Sequence, residues 1–284
     1  MLTSEFKYLK FPFAEFNPVQ EACIKFVGDD CNLVLSATMA SGKTAVAEMI
    51  AARELSETDG TVLYVVPLTA LMEEVLGEFS KHSLLGYYAT DRLSDYGDKR
   101  LFAVTVERFD MLVRNRSEIV DRLSAVIVDE AHVIDSERRG PNLEAALMGL
   151  PKCRICLMSG TMSNYVQIAK WLKSLNGKRT FYYNSDWRPV EVEKHLVCCR
   201  SQKSKRRVLS DILSKSPDDR TVVFVYSKKE GQELAKSLLS EGYVSEFLSA
   251  DVRHSRFERI VRDFRDGRID VLVATSVIGA GVNL

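Results

Sequence analysis

Short apolar runs alternate with longer amphipathic stretches along the first part of the chain. Each run has the length of a buried strand, and the stretches between several of them have the pattern of helices. Because parallel strands need long crossover connections, this alternation predicts an α/β fold with a mainly parallel sheet flanked by helices on both faces. The predicted strands are residues 33–36, 62–66, 101–105, 125–128 and 155–158.

The alternation breaks at residues 181–192, a polar and aromatic stretch that contains Asn184, Asp186 and Pro189. Such a stretch is typical of a linker. The pattern then restarts and predicts a second α/β domain. Its predicted helices are residues 205–215, 229–240 and 254–265, and its predicted strands are residues 221–226, 244–248 and 269–274.

The sequence therefore divides into a lead-in at 1–16, a first domain at 17–180, a linker at 181–192 and a second domain at 193–284. The second domain has fewer predicted strands than the usual sheet of about five or six. We therefore expect this domain to be truncated at Leu284.

The charges of the chain are balanced: Lys plus Arg number 39, and so do Asp plus Glu. Such a chain does not attract nucleic acid as a whole, so any nucleic-acid site has to be local. The sequence has no apolar run of about 18 residues, and residues 1–10 are too charged for a secretory signal. We therefore expect no membrane partner, and a cytoplasmic protein, or a nuclear one in a eukaryote.

Most of the six cysteines lie in apolar stretches, which is typical of buried free thiols, and we expect no disulfides. Cys153 and Cys156, with the pair Cys198 and Cys199, also have a spacing that zinc or an iron–sulfur cluster can use. In an apolar strand, however, side chains three positions apart face opposite sides of the sheet. We interpret Cys153 and Cys156 as core residues.

Residues 37–44 read Ala-Thr-Met-Ala-Ser-Gly-Lys-Thr, follow a predicted strand and open a helix. This context is typical of a loop that binds nucleotide phosphates, with a chance match as the alternative. Glycine lets backbone N–H groups approach the phosphates, the lysine ammonium reaches the β- and γ-phosphates, and the threonine hydroxyl binds Mg²⁺. The predicted contacts with ATP are Ala40, Ser41, Gly42, Lys43 and Thr44.

Two acids, Asp129 and Glu130, directly follow the predicted strand 125–128. Their carboxylates are expected at the carboxyl edge of the sheet, beside the phosphate loop, where ligands of such sheets bind. We predict that Asp129 holds Mg²⁺ and that Glu130 orients or deprotonates the water that attacks the γ-phosphate. A solvated acidic turn is the alternative.

The loop at 37–44, the string Asp-Glu-Ala-His at 129–132 and Ser-Gly-Thr at 159–161 together resemble the DEAH-type helicases of superfamily two. The core of that family consists of two RecA-like domains with ATP in the cleft between them. The resemblance spans residues 17–284 and implies that both predicted domains have this fold.

The resemblance also implies roles for further residues. Nucleic-acid contacts would be Pro67, Thr69, Thr105, Arg108 and Thr275. Residues that couple the ATP state to the grip on nucleic acid would be His132, Ser159 and Thr161. Gln20 would contact the adenine base; the alternative is an ordinary surface turn capped by Asn17 and Pro18.

Residues 186–190 and 273–284 resemble the Ski-like branch of that superfamily, which includes archaeal DNA-repair helicases and eukaryotic RNA helicases. This implies a monomeric motor that travels 3′ to 5′ on single-stranded or forked nucleic acid, with DNA favoured over RNA. Residues 248–254 depart from the His-His-Ala-Gly stretch of close relatives, and Gly160 departs from the usual alanine. The motif with the arginine fingers is expected after Leu284.

The sequence leaves several functions open. The first is an ATP-driven helicase, acting on DNA or, as the alternative, on RNA. The second is a nucleotide-dependent clamp without effective hydrolysis, since arginine fingers contribute strongly to phosphoryl transfer. An unrelated phosphate-loop ATPase, such as a transporter or a signalling switch, is the third; residues 67–71 and 129–132 argue against it.

Overall fold

The computed structural model describes residues 2–67, 69–81, 89–90, 99–160, 162–216, 219–249 and 251–275. The chain forms two compact units, Met1–Val192 and Glu193–Leu284. The boundary lies where the sequence-based division also ends the linker.

The first unit contains strands and helices in alternation, with short 3-10 helices at Thr3–Glu5 and Ala131–Asp135. Its strands are β1 (Asn32–Ala37), β2 (Thr61–Val66), β3 (Ala89–Thr90), β4 (Leu101–Thr105), β5 (Leu123–Val128), β6 (Arg154–Ser159) and β7 (Thr180–Ser185). Its helices are α1 (Pro18–Val27), α2 (Lys43–Glu57), α3 (Thr69–Ser80), α4 (Val106–Arg114), α5 (Glu118–Asp121), α6 (Gly140–Met148) and α7 (Tyr165–Asn176).

The strands of the first unit form one parallel sheet in the order β3-β4-β2-β5-β6-β1-β7. Every strand that the sequence predicts in this unit is present, and the predicted α/β fold is confirmed. The central strands β1, β2 and β5 are buried along nearly their whole length, as expected of strands covered by helices on both faces.

The predicted linker begins as a strand. Residues 180–185 form β7, which pairs with β1 from Thr180 to Ser185. Phe181 stacks on Phe26 of α1 with ring centroids 3.5 Å apart, whereas Tyr182 on the other face remains 47% exposed. An edge strand with one solvent-exposed face does not need a continuous apolar run. This explains why β7 has the composition of a linker.

Helices cover both faces of the sheet. One core lies between the sheet and α1, α2 and α3, and the other lies between the sheet and α4, α5, α6 and α7. The lead-in packs on the first of these cores through Phe6, Phe11 and Phe13, and the Thr3 hydroxyl donates a 2.6 Å hydrogen bond to the Phe13 carbonyl.

Cys153 and Cys156 pack into the two different cores, as the strand periodicity predicts. Burial raises the pKa of the Cys153 thiol to about 12 and that of the Cys156 thiol to about 11. These thiols are neutral core groups.

The second unit contains α8 (Gln202–Lys215), β8 (Thr221–Phe224), α9 (Lys228–Ser240), β9 (Ser245–Leu248), α10 (His254–Arg265) and β10 (Val271–Ala274). Its strands form a parallel sheet in the order β8-β10-β9. Side chains of α8 and α9 pack on one face of this sheet, and those of α10 pack on the other. All predicted helices and strands of this unit are present. Within the described ranges, every helix is too short or too polar to span a bilayer.

Candidate functional site

The phosphate loop joins the end of β1 to the start of α2, and its backbone adopts left-handed conformations at two positions. Ala40 has φ 59° and Gly42 has φ 81°. A Cβ atom at Gly42 would lie 2.3 Å from Gln20 Nε2 and 3.0 Å from Asn17 Nδ2. The left-handed backbone therefore favours glycine at position 42, and a side chain there would also have to displace the Gln20 amide.

Lys43 folds its side chain back over this loop. Its ammonium donates hydrogen bonds of 3.0 Å to the carbonyls of Ala37 and Thr38. Burial lowers the pKa of Lys43, while the nearby charges of Glu130 and Asp129 raise it. The ammonium is thus held at the loop by weak neutral acceptors, which an anionic phosphate can replace.

The loop also contains a buried hydroxyl with no obvious role in the fold. Ser41 is fully buried, and its Oγ has no hydrogen-bond partner among the described residues. The first N–H groups of α2 lie at the same point, where the helix dipole favours an anion. The glycine, the ammonium and this hydroxyl together fit the phosphates of a nucleotide.

The two predicted acids lie directly past the end of β5, next to β2 in the sheet. The backbone N–H of Asp129 donates a 2.8 Å hydrogen bond to the Val65 carbonyl. Its carboxylate accepts a 2.9 Å bond from the Glu130 N–H at Oδ1 and a 3.0 Å bond from the Tyr64 hydroxyl at Oδ2. Burial, and then the charge of Glu130, raise the pKa of Asp129, and both hydrogen bonds oppose that rise.

Glu130 has φ 50°, a strained value for a residue with a side chain. Its carboxylate Oε2 lies 3.1 Å from His132 Nδ1. The same nitrogen lies 3.0 Å from the hydroxyl of Ser159, which ends β6. His132 and Ser159, both predicted to couple ATP state to nucleic-acid grip, are thus in contact with each other, and His132 also contacts the predicted catalytic acid.

Two neighbouring positions complete this region. Thr161, the third predicted coupling residue, lies outside the described residues. At Gly160 an added Cβ would have Met39 Cγ as its nearest neighbour, at an ordinary contact distance of 3.8 Å. Neither steric crowding nor a left-handed backbone therefore explains why glycine stands at position 160 in place of the usual alanine.

Gln20 lies at the phosphate loop, on the first turn of α1. Its Oε1 accepts a 3.0 Å bond from the Asn17 N–H, and the Asn17 side chain caps the helix in return. Gln20 Nε2 and Asn17 Nδ2 donate to the carbonyls of Gly42 at 3.4 Å and Ser41 at 3.0 Å. Asn17 therefore caps a helix in which Gln20 is buried, in place of the ordinary surface turn that was the alternative, and adenine contact by Gln20 remains a prediction.

The predicted nucleic-acid contacts of the first unit lie at or just past the carboxyl ends of two paired strands, β2 and β4. Pro67 is buried, whereas Thr69 and Arg108 are exposed. Thr105 caps α4, since its hydroxyl accepts a bond from the Arg108 N–H. The fold therefore brings these residues to one edge of the sheet.

In the second unit, Thr275 directly follows β10, and its backbone N–H donates to the Leu248 carbonyl at 3.2 Å. The remainder of the motif predicted there, residues 276–284, lies outside the described residues.

Three contributors to the site were missed from the sequence. Asn17 binds the phosphate loop, Tyr64 binds Asp129, and the Thr38 hydroxyl donates a 2.5 Å bond to the Trp187 carbonyl past β7. Of these three, only Tyr64 could have been predicted from the sequence, because a tyrosine in an aliphatic buried strand needs a hydrogen-bond partner for its hydroxyl.

Thr44 and Asp129 are the residues that would hold Mg²⁺. Thr44 is exposed on the first turn of α2, and both groups offer the oxygen ligands that Mg²⁺ takes together with phosphates and water. In the described part of the chain, His, Cys, Asp and Glu nowhere gather in threes as a metal-binding cluster. A site completed by a nucleotide fits this arrangement, whereas an all-protein metal cage does not.

Comparisons with known proteins agree with this geometry. The family model described as DEAD/DEAH box helicase matches residues 17–168, and the model described as helicase conserved C-terminal domain matches residues 204–284. The ATP-dependent DNA helicase Hel308 of Pyrococcus abyssi is 30% identical over 94% of the chain and 44% of its own length. The "Probable ATP-dependent helicase MJ1401" of Methanocaldococcus jannaschii is 28% identical over 95% of the chain and 35% of its own length.

A relative from Drosophila melanogaster, the U5 small nuclear ribonucleoprotein 200 kDa helicase, is 27% identical over 96% of the chain and 16% of its length. The chain thus spans less than half the length of these relatives. Among solved structures, Saccharomyces cerevisiae Dbp5 bound to RNA and ADP BeF3 aligns with this chain at a TM-score of 0.72 and 20% identity. The alignment covers 95% of this chain and 72% of the Dbp5 chain. The fold is that of RecA-like helicase domains, and the chain belongs to the DEAD/DEAH box helicase family.

Proposed function

We propose that this chain is the motor part of a helicase that couples ATP hydrolysis to movement on a nucleic-acid strand and to duplex separation. One observation carries the proposal. The carboxyl ends of β1, β5 and β6 bring together the phosphate loop, the two acids and the contact between His132 and Ser159. The neighbouring ends of β2 and β4 carry the residues predicted to contact nucleic acid.

ATP is the substrate of this proposed reaction. The loop N–H groups and Lys43 bind the β- and γ-phosphates, with the ammonium moving from the Ala37 and Thr38 carbonyls to phosphate oxygens. Bound Mg²⁺, held by Thr44 and Asp129, would screen the phosphate charges. Glu130 orients a water and accepts its proton as the water oxygen bonds to the γ-phosphorus and the bond to the β-phosphate oxygen breaks.

Coupling follows from the contacts of Glu130. His132 lies within hydrogen-bond distance of both Glu130 and Ser159, so a change in the position or charge of the acid alters that contact. We propose that His132, Ser159 and Thr161 report loss of the γ-phosphate to the strand-binding residues Pro67, Thr69, Thr105 and Arg108, and to Thr275 in the second unit.

The proposed substrate is single-stranded or forked DNA, with travel from 3′ to 5′ by a monomer. The relatives named DNA helicases support DNA. RNA is the second candidate, because the chain also aligns over nearly its whole length with a helicase of a ribonucleoprotein. Phosphate contacts serve both strands alike, and only contacts to the 2′-hydroxyl distinguish them.

The test uses the chain extended past Leu284, so that it includes the expected arginine-finger motif. It compares steady-state ATP hydrolysis without nucleic acid, with single-stranded DNA and with RNA of the same sequence. We expect DNA to stimulate turnover more than RNA, and Lys43→Ala to lose nucleotide binding. If neither strand changes turnover, the helicase proposal is wrong; stronger stimulation by RNA would reverse the substrate assignment.

Polarity has its own test. Duplexes with either a 3′ or a 5′ single-stranded tail are offered with ATP, and strand separation is followed by gel or fluorescence. We expect separation only of the duplex with the 3′ tail.

A further inference from the structure

Tyr64 is a tyrosine in an otherwise aliphatic part of β2, and the mechanism above gives it no role. Its side chain is completely buried, and its ring packs edge-on against Phe79 of α3 with centroids 5.6 Å apart. Its hydroxyl donates a 3.0 Å hydrogen bond to Asp129 Oδ2. Burial, with the Asp129 charge adding, raises the pKa of Tyr64 well above 10, so this hydroxyl is a neutral donor.

The hydrogen bond joins two neighbouring strands at the place where β5 ends. Tyr64 lies opposite Ile127 in the register of β2 and β5, and Asp129 follows two residues later on the same face. The Asp129 backbone is itself tied to β2 through the Val65 carbonyl at 2.8 Å. β2 therefore fixes both the main chain and the side chain of Asp129.

The carboxylate of Asp129 is held at both oxygens. The Glu130 N–H binds Oδ1 at 2.9 Å, and Tyr64 binds Oδ2. A local backbone N–H alone leaves the carboxylate able to rotate about its last torsion, which is broad in aspartate. The second donor, from another strand, sets the plane in which the remaining lone pairs point.

We propose that Tyr64 is a positioning residue for magnesium: its hydroxyl holds the Asp129 carboxylate in the orientation that receives Mg²⁺ bound to a nucleotide. Tyr64 touches neither the metal nor the phosphates, so it acts through Asp129. The inference rests on the proposed function, because it assumes that Asp129 binds Mg²⁺. Partners of a metal ligand commonly change metal affinity about 10- to 100-fold when they are removed.

The test uses Tyr64→Phe, which removes the hydroxyl and keeps the ring against Phe79. Affinity for a fluorescent ADP is measured at increasing Mg²⁺ concentrations, starting with EDTA. We expect the Mg²⁺ midpoint to rise about tenfold, the lower end of the usual effect. Affinity in EDTA should stay close to wild type, since the loop is unchanged. The unfolding temperature should fall modestly, because the buried Asp129 Oδ2 loses its donor.

Two further variants make the test specific. Tyr183→Phe removes a hydroxyl that packs on the same core cluster but lies on β7, with three strands between β7 and β2. It should leave the Mg²⁺ midpoint unchanged. Asp129→Asn should raise the midpoint, and adding Tyr64→Phe to it should have no further effect, because the tyrosine acts through the acid.

The outcomes separate this inference from the proposed function. A normal Mg²⁺ midpoint in Tyr64→Phe, or additive effects in the double variant, would overturn the role of Tyr64 and leave the helicase proposal intact. If Mg²⁺ has no effect on nucleotide affinity in the wild type, Asp129 is no magnesium ligand, and both the inference and the proposed site are wrong.

Discussion

The two ends of the central strands in the first unit differ in what their polar side chains contact. At the amino ends of β1 and β6, Asn32 and Arg154 are almost completely buried. Asn32 exchanges hydrogen bonds with Asn176 at 3.0 Å and accepts one from the Ile155 N–H. Arg154 donates to the carbonyls of Phe26 and Val27, and only its Nε lacks a described partner.

At the carboxyl ends of β1 and β5, several polar groups have only neutral partners, no described partner or a strained backbone. Ser41 Oγ has no partner among the described residues, Lys43 binds only neutral carbonyls, and Glu130 holds a left-handed backbone. Buried polar groups that satisfy each other stabilise a fold, whereas unsatisfied or strained groups are typical of ligand sites. The paired groups around Asn32 and Arg154 thus stabilise the fold, whereas the groups around Lys43 and Glu130 fit a ligand site.

The largest expected effect is on the chemistry at the carboxyl end. Glu130→Gln keeps the size and the hydrogen bonding of the side chain but removes the proton acceptor. We expect ATP turnover to fall about 100- to 10,000-fold, which is the usual contribution of a general base. Nucleotide affinity should change little, because the phosphate loop does not include Glu130.

Turnover is measured with saturating ATP and single-stranded DNA, and affinity is measured with a fluorescent nucleotide. Arg139→Gln is a matched control: Arg139 forms a surface ion pair with Glu107 near the same edge and has no role in the proposed chemistry. Unchanged turnover in Glu130→Gln would show that another group activates the water.

The next effect concerns stability at the amino end. Arg154→Met removes the 3.3 Å ion pair with Glu54 and leaves two carbonyls of α1 without their donor. Breaking a buried pair from one side costs about 3–5 kcal/mol of unfolding free energy. Nucleotide affinity of the folded protein should stay the same.

Both tryptophans, Trp171 and Trp187, belong to the first unit, so urea unfolding followed by their fluorescence reports on this unit. Arg114→Met is the control, because Arg114 is 62% exposed and its pair with Asp110 is worth about 0–1 kcal/mol. Equal losses in the two variants would contradict the stabilising role of Arg154.

A third prediction compares two buried acids on α2, a helix that runs from the phosphate loop toward the amino ends of the strands. Glu54 pairs with Arg53 and Arg154, whereas burial raises the pKa of Glu48 to about 7 from its ordinary 4.5. Between pH 4.5 and about pH 7, Glu48 is protonated more often in the folded state than in the unfolded state. The free energy of unfolding therefore falls as pH rises through this range. The total fall is about 3 kcal/mol, because one pKa unit corresponds to about 1.4 kcal/mol.

Glu48→Gln removes this titration. The stability of the variant relative to wild type should therefore rise by roughly 3 kcal/mol between about pH 4.5 and about pH 8, measured by urea unfolding. Glu54→Gln should instead be less stable than wild type at both pH values, since it loses two arginine partners. A constant difference for Glu48→Gln across this range would mean that burial does not raise the pKa of Glu48.

The sequence predicts the parts of the molecule that are local or that recur with fixed spacing. Strands of buried apolar residues and the helices between them are predictable from periodicity, and the loop around Lys43 is predictable because its residues are contiguous. β7 was assigned to the linker because an edge strand carries a weaker pattern. Its pairing with β1 depends on tertiary contacts such as that between Phe26 and Phe181.

The same limit applies to the site. Asp129 and Glu130 are readable as ligands because they follow an apolar run. The Tyr64 contact with Asp129 depends on which strands become neighbours, because β2 and β5 are separated in sequence by β3 and β4. The contact between His132 and Ser159 likewise requires β6 to lie beside β5. These contacts therefore depend on the order of the strands in the sheet, which the spacing of residues along the sequence does not predict.

The smallest expected effect separates satisfied from unsatisfied hydroxyls within one segment. Ser36 and Ser41 are both buried, but Ser36 Oγ accepts a 3.1 Å bond from the Met162 N–H, whereas Ser41 Oγ has no described partner. Ser36→Ala leaves a buried N–H without its acceptor and should cost about 1–3 kcal/mol. Ser41→Ala should change stability by less than about 1 kcal/mol, because it breaks no described hydrogen bond.

If the Ser41 hydroxyl binds the phosphates of the nucleotide, Ser41→Ala should weaken nucleotide affinity, and Ser36→Ala should not. Urea unfolding and nucleotide titration on both variants measure the two effects, and a Ser41→Ala variant that loses stability but keeps its affinity would place Ser41 among the structural groups.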